Sequence, residues 1–183
     1  FFFAVVDNMS WLFSAGEDGI QSAQNAIQEL VKEKEQLEGQ IADLKQNPKT
    51  FDGKVVMITG AAGNIGRAAA LYFCRAGAQT VLMDVTETPL QDLVEEIKAL
   101  NGPPCVPVVC DVCDPGSVDA AVATAVEAVG RIDHLFNNAG IQGAFCTTED
   151  YPVDDFKKVM DVNVVGSFVV LQSVARHMKE KGG

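Results

Sequence analysis

The stretch TGAAGNIGR, from Thr59 to Arg67, places three glycines between two apolar runs. The first glycine can make a tight turn out of a strand, the second lets the backbone approach a pyrophosphate, and the third lets a helix pack closely on the strand. The free N–H groups and partial positive charge of a helix start attract phosphate oxygens. We therefore predict a dinucleotide-binding loop, against the alternative of a tight turn without a ligand. Its contact residues are Gly60, Gly63, Asn64, Ile65 and Gly66.

An aspartate strengthens the prediction of a dinucleotide site. Asp84 ends the second apolar run, 18 residues after Gly66, where the adenosine ribose of a bound dinucleotide should lie. A carboxylate there accepts hydrogen bonds from the 2′- and 3′-hydroxyls and repels a 2′-phosphate. The neighbours Met83 and Val85 offer no base to such a phosphate, so NAD is the predicted cofactor. The alternative is a solvated aspartate at a strand end.

The elements that must position these residues alternate between strand and helix patterns. The runs KVVMITG, QTVLMDV, CVPVVCDV and DHLF are predicted as strands. The helix between the second and third strands is predicted to end at Gly102, and a long helix to run from Val153. Such alternation predicts parallel strands with helices on both faces. Residues 51–183 are thus expected to form one α/β domain, a Rossmann-type doubly wound parallel sheet of about four strands.

Residues 1–50 follow a different pattern. Between residues 20 and 45, apolar side chains recur at the a and d positions of a heptad, and Lys34 is the one polar a position. One amphipathic helix is predicted, ended by Asn47-Pro48. It either pairs chains as a short coiled coil, giving a homo-oligomer, or lies along its own domain. The narrow stripe favours pairing; its members are Ile20, Ala23, Ile27, Leu30, Leu37, Ile41 and Leu44.

Composition excludes several classes of partner. The chain is 48% hydrophobic and 21% charged, as in ordinary globular proteins, and its net charge is −11. That charge argues against binding nucleic acid or an anionic membrane surface. No apolar run is expected to approach the length of a bilayer span. The opening FFFAVV is too short and lacks the basic flank of a signal peptide, so Met9 is the expected natural start.

The five cysteines are odd in number and scattered along the chain. They indicate a reducing compartment, and we expect the cytoplasm. Cys110 and Cys113 form a C-x-x-C at the end of a predicted strand, where a redox thiol would gain no acidity from a helix start. We interpret this pair as incidental. A zinc site would need a second suitably spaced pair, so no metal site is predicted.

Motifs in the glycine loop and after it resemble those of the short-chain dehydrogenase/reductase family. Thr59, Gly60 and Gly66 match its T-G-x-x-x-G-x-G pattern, except that Asn64 replaces a glycine. Because asparagine is the residue best able to replace glycine at positive φ, we expect Asn64, with the help of Gly63, to preserve the loop. The residues Asp111 and Val112 resemble the acidic pair after the third strand that contacts adenine in the family.

Two later motifs complete the resemblance, which covers residues 51–183. The segment Asn137-Asn138-Ala139-Gly140 matches the family's N-N-A-G, which implies cofactor contacts at Asn138, Ala139 and Gly140. Asn163, in DVNVVGSF, matches the helix asparagine of the catalytic tetrad, which supports a water in a proton relay. The resemblance implies hydride transfer between a nicotinamide and a small alcohol or carbonyl substrate.

The family's tyrosine acid, the lysine four residues after it and the serine have no match. The tyrosines are Tyr72 and Tyr151, and the residues four positions later are Ala76 and Asp155. The closing KEKGG reads as a helix end that a further strand follows in the family. We therefore expect a partial chain that ends before the tyrosine–lysine segment and is inactive alone. A non-catalytic dinucleotide-binding module and a coiled-coil assembly module remain alternatives.

Overall fold

A computed structural model describes residues 17–46 and 50–180, with the side chains of the first helix described over residues 24–38. The opening FFFAVV, the expected start at Met9 and the final glycines lie outside the described residues. Contacts within the chain divide it into two units between residues 47 and 48, and each unit is considered by itself.

The first unit contains one long helix, α1, Glu17–Gln46, as the heptad pattern predicts. Among the heptad positions with described side chains, Ile27, Leu30 and Leu37 are exposed by 59%, 60% and 50%. Lys34 forms an ion pair with Glu38 one turn later, at 3.5 Å. The side chains of the outer heptad positions lie outside the described part. Pairing of chains through this stripe therefore stays a prediction.

The second unit contains a four-stranded parallel sheet in the order β3-β2-β1-β4, with helices on both faces. This confirms the predicted Rossmann-type fold. Every residue of β1 is buried, as expected for a central strand covered on both sides. Within the described residues β4 pairs on one side only, with β1. The strands are β1, Val55–Thr59; β2, Gln79–Asp84; β3, Cys105–Val109; and β4, His134–Phe136.

Five helices of the second unit pack on this sheet or extend from it. They are α2, Asn64–Arg75; α3, Glu87–Ala99; α4, Pro115–Val129; α5, Val153–Met160; and α6, Ser167–Glu180. Alternate strand residues face two separate cores, so that Met57 packs with α4 and α6 while Ile58 packs with α2 and α3. In the sheet β1 and β2 are paired so that Thr59 lies opposite Met83, and the carboxyl ends of the two strands are adjacent.

The end of α3 corrects one expectation. The helix ends at Ala99, and the positive φ of the turn is taken by Asn101, at 53°, not by Gly102. Gly102 serves packing instead, because a Cβ added there would lie 2.1 Å from Sγ of Cys74. Asparagine tolerates the left-handed region well enough to end the helix without glycine.

The long helix predicted from Val153 is present but interrupted. Residues Asp161–Gly166 form a π-helical segment between α5 and α6. By length and composition the stretch Val153–Glu180 could cross a membrane, so the expectation that no run approaches that length was wrong. We assign the stretch to the sheet domain because α6 buries one face against α4, where Ser173 Oγ donates to Asp119 Oδ1 at 2.6 Å.

Candidate functional site

Thr59, the last residue of β1, joins the glycine loop to the segment after β4. Its side chain is fully buried, and Oγ1 accepts hydrogen bonds from the backbone N–H groups of Asn138, at 2.9 Å, and Ala139, at 3.0 Å. The same hydroxyl donates to Oδ1 of Asn137 at 3.2 Å. One hydroxyl therefore uses its single donor and both acceptor sites to hold the N-N-A-G segment in place.

Gly60 and Asn138 hold the two segments in direct contact. Gly60 has φ +62°, and a Cβ added to it would lie 2.9 Å from Cα of Ala139. Both the conformation and the close approach require glycine. The Asn138 side-chain amide donates to the carbonyls of Thr59, at 3.0 Å, and Gly60, at 3.3 Å. Asn138 thus shapes the site by fixing the loop.

The glycine loop leads directly into α2. Packing requires glycine at position 66, because a Cβ added there would lie 2.0 Å from the carbonyl oxygen of Gly60. Asn64 is the first residue of α2, and Asn101 is the one non-glycine residue with positive φ in the described part of the chain. The expectation of a positive φ at Asn64 was therefore wrong. Because α2 already begins at Asn64, this residue has the ordinary helical conformation, which any L-residue can adopt.

The start of α2 retains the features of an anion site. No side chain among the described residues caps this end of the helix. A Cβ added to Gly63 would meet only the Gly60 carbonyl oxygen, at an ordinary 3.4 Å, so the protein itself does not require glycine there. Ile65 is 70% exposed beside it. The free N–H groups and the open space at Gly63 fit a phosphate lying against the backbone.

Asp84, at the carboxyl end of β2, connects that strand to the glycine loop. Its Oδ2 accepts a hydrogen bond from the backbone N–H of Ala62 at 3.0 Å. Its Oδ1 accepts two hydrogen bonds from Thr86, one from the backbone N–H at 3.2 Å and one from Oγ1 at 3.0 Å. The carboxylate is therefore held by neutral donors and has no basic partner among these contacts.

A cleft of about 730 Å³ lies at the carboxyl ends of the strands. This is where open parallel sheets bind ligands, and the volume is in the usual range for small-molecule sites. Six of the predicted site residues line it: Gly60, Asp84, Asp111, Val112, Ala139 and Gly140. The other predicted residues are not among those lining the cleft. They are Gly63, Asn64, Ile65, Gly66, Asn138 and Asn163.

Asp111 lies in the turn between β3 and α4. Its Oδ1 accepts a hydrogen bond from the backbone N–H of Cys113 at 2.9 Å, and its own N–H donates to Oγ of Ser117 at 3.1 Å. Its Oδ2 takes part in neither of these bonds. The carboxylate is thus fixed in the cleft with one oxygen able to accept a hydrogen bond from an amino group, such as that of an adenine.

Asn163 lies in the π-helical segment and binds the chain just after Gly140. Its Oδ1 accepts from the backbone N–H of Ile141 at 2.8 Å, and its Nδ2 donates to the carbonyl oxygen of the same residue at 2.9 Å. Both ends of the amide are used on one residue. In the structure Asn163 therefore ties the chain that follows β4 to the long helix. Its role in a proton relay stays a prediction.

Sequence reasoning missed several residues of the site. The motifs contain Thr59 and Asn137 but predict no contact between them, and no motif contains Thr86. Lys157 and Lys158 also line the cleft, although they lie on α5, far along the chain from the glycine loop. Lys157 forms an ion pair with Asp154 at 3.3 Å. No local pattern in the sequence connects these lysines with the glycine loop.

The pKa values of the two thiols that line the cleft, Cys110 and Cys113, are both raised. Burial raises the pKa of Cys110, and burial together with the nearby Asp111 carboxylate raises the pKa of Cys113. The thiolate is the reactive form, so a raised pKa lowers reactivity at neutral pH. All five cysteines are free. The interpretation of the C-x-x-C as incidental stays a prediction.

Comparison with known proteins shows the family to which this chain is similar. The model of the family described as short chain dehydrogenase matches residues 54–183. Levodione reductase of Leifsonia aquatica is 38% identical over 135 residues, which cover 72% of this chain and 50% of that protein. The 7alpha-hydroxysteroid dehydrogenase of Escherichia coli K12 is 35% identical over 133 residues, 73% of this chain and 51% of that protein. The chain thus spans about half the length of these relatives.

Solved structures agree. A crystal structure of NAD⁺-bound xylitol dehydrogenase matches with a TM-score of 0.70 and 41% identity, over 73% of this chain and 51% of that one. The sheet order and the glycine loop are those of a Rossmann-type fold. The chain belongs to the short-chain dehydrogenase family.

Proposed function

We propose that this chain forms the NAD-binding part of an oxidoreductase that transfers hydride between a nicotinamide and a small alcohol or carbonyl substrate. The observation that carries the proposal is the Asp84 carboxylate, held at the edge of the cleft by Ala62 and Thr86 with no basic partner. The names of its relatives, a levodione reductase and a xylitol dehydrogenase bound to NAD⁺, support the same class of reaction.

The residues present fit a dinucleotide along the carboxyl edge of the sheet. Asp84 would accept a hydrogen bond from the adenosine ribose, and Asp111 would face the adenine. The open space at Gly63 and the uncapped start of α2 would take the pyrophosphate. When bound, the nicotinamide would supply or accept the hydride. The residues of this chain would bind and orient the cofactor.

The preference for NAD over NADP rests on charge. The 2′-phosphate of NADP would lie against the Asp84 carboxylate, and repulsion there would disfavour it. The side chain of the next residue, Val85, is exposed and apolar, so it offers the phosphate neither a charge nor a hydrogen bond. NAD is thus the cofactor that this site favours.

Residues 1–183 are proposed to hold the cofactor without turning it over. Delivery of a proton to the forming alkoxide by a positioned acid contributes roughly a hundred- to ten-thousand-fold to the rate. Tyr151 has its hydroxyl close to Gly143, and neither Tyr72 nor Tyr151 is followed by a lysine at the fourth position. The tyrosine–lysine pair of the family therefore has no counterpart in these residues.

Calorimetric titration of the 183-residue chain with NAD and NADP tests the cofactor proposal. We expect NAD to bind more tightly, and we expect Asp84→Asn to reduce that preference. The matched control is Asp92→Asn, since Asp92 is an exposed aspartate on α3. Tighter binding of NADP by the unmodified chain would overturn the assignment. Sustained NADH oxidation with ketones or aldehydes would overturn the proposal that these residues lack an acid.

A further inference from the structure

Thr86 occupies a helix-capping position but does not cap the helix. It is the residue before α3, with extended backbone at φ −110° and ψ 123°, and its side chain makes no capping hydrogen bond. A threonine in this position usually accepts from the N–H of the second or third helical residue. Here the third residue is Pro89, which has no N–H. The hydroxyl is instead directed to Oδ1 of Asp84, at 3.0 Å.

Counting acceptor sites shows what this hydroxyl does to Asp84. An ionised carboxylate offers about four acceptor sites, two on each oxygen. The backbone N–H and the hydroxyl of Thr86 take both sites of Oδ1. The N–H of Ala62 takes one site of Oδ2. The remaining acceptor site is therefore on Oδ2, the oxygen turned toward the glycine loop.

We propose that Thr86 is a positioning residue for cofactor recognition: it fixes the Asp84 carboxylate so that Oδ2 alone accepts the adenosine 2′-hydroxyl. The inference rests on the proposed binding of NAD. Rotation of an aspartate carboxylate about χ2 is soft, and the backbone N–H groups of Ala62 and Thr86 hold one oxygen each. The Thr86 hydroxyl adds a third contact, which fills Oδ1. Its removal leaves Oδ1 with a free acceptor site, so the carboxylate is held less firmly and Oδ2 is no longer the one oxygen open to the ribose.

Titration of the 183-residue chain with ADP and with 2′-deoxy-ADP isolates this effect. Because a hydrogen bond to a charged group is lost, we expect the unmodified chain to prefer ADP about tenfold. In Thr86→Val the preference should fall to about twofold while the affinity for 2′-deoxy-ADP stays unchanged. Thr86→Ser keeps the hydroxyl and should restore the preference. The control Thr88→Val, at an exposed threonine two residues further along the chain, should leave the preference for ADP unchanged.

The outcomes separate this inference from the proposed function. A purely structural role for Thr86 predicts equal weakening of ADP and 2′-deoxy-ADP, and that result would overturn the inference while keeping the cofactor site. An unchanged preference in Thr86→Val would do the same. If Thr86→Val and Thr86→Ala both lose their helical circular dichroism, the residue is structural and the inference is overturned. Absence of ADP binding by the unmodified chain would overturn the cofactor site and the inference together.

Discussion

Asp133 and Val55 exchange two hydrogen bonds that close the amino-terminal side of the sheet. The Val55 N–H donates to Oδ2 of Asp133 at 2.8 Å, and the Asp133 N–H donates to the Val55 carbonyl oxygen at 2.9 Å. Arg131 also donates to the Asp133 carboxylate. The residue before β4 thus fixes the first residue of β1, at the end of the sheet opposite the cleft.

This relationship predicts acid-sensitive stability. Burial alone would raise the pKa of Asp133, but hydrogen bonds from Arg131 and Val55 and the Arg131 charge outweigh it and lower the pKa. A lowered pKa in the folded state gives stability that is present above the ordinary aspartate value, about 3.9, and is lost as pH falls through the folded value. Asp133→Asn should cost about 1–3 kcal/mol at pH 7 and less below about pH 4.

Urea unfolding of the unmodified chain and of Asp133→Asn at several pH values measures the difference. Asp92→Asn, on the exposed side of α3, should show no such pH-dependent difference. A destabilisation by Asp133→Asn that is the same at pH 3 and pH 7 would contradict the assigned ion pair and hydrogen bonds.

Two glycines of one loop should respond differently to the same substitution. Gly66→Ala places a methyl group 2.0 Å from a carbonyl oxygen, so it should destabilise the fold, by about 1–3 kcal/mol. Gly63→Ala meets only one atom, at 3.4 Å, and should leave the melting temperature nearly unchanged while weakening NAD binding. Thermal melting and calorimetry check the pair. Unchanged NAD affinity in Gly63→Ala would show that no phosphate lies against that residue.

Cofactor preference should be changed by two adjacent substitutions. Asp84→Ala combined with Val85→Arg removes the repelling carboxylate and adds a guanidinium that can bind the 2′-phosphate. We expect NADP binding to strengthen relative to NAD, so that the preference relaxes or inverts, as measured by titration with both dinucleotides. Val85→Arg alone serves as the control for the added charge. No change of preference in the double variant would place the ribose elsewhere.

The heptad helix should associate chains weakly. Its stripe extends for about three and a half heptads and includes a lysine at one a position, which is near the lower limit for a stable coiled coil. Leu30→Asn should shift sedimentation of the full chain toward the monomer. Gln28→Asn, at an exposed b position, is the matched control. A chain that is monomeric before and after substitution would favour the helix lying along its own domain.

The parts of the site that the sequence predicted are those carried by local patterns. The tight turn at Gly60 and the close packing at Gly66 could be predicted because a strand, a turn and a helix succeed one another within a few residues. Contact of these glycines with a cofactor stays a prediction. The capping expectation at Gly102 and the positive φ expected at Asn64 failed, since each depends on where a helix begins or ends to within one residue. The order of the strands was not predicted.

Other features of the site depend on tertiary contacts that no short motif encodes. The role of Thr59 depends on Asn138, 79 residues later. The place of Lys157 in the cleft depends on how α5 leaves the sheet. The action of Thr86 on Asp84 is local, but it could not be read in advance. Pro89 removes one capping N–H, but whether the hydroxyl then binds another helix N–H or the Asp84 carboxylate depends on where strand and helix end in space.

Two hydrogen bonds at the cleft close loops of different length, and this difference predicts an order of folding. The bond between Ala62 and Asp84 joins residues 22 apart, whereas that between Thr59 and Asn138 joins residues 79 apart. Loop-closure entropy makes the longer contact more costly by about 1 kcal/mol. The Asp84 side of the cleft is therefore expected to assemble around β1 and β2 first, and β4 with its N-N-A-G segment to dock late, completing the cleft as the final kinetic step.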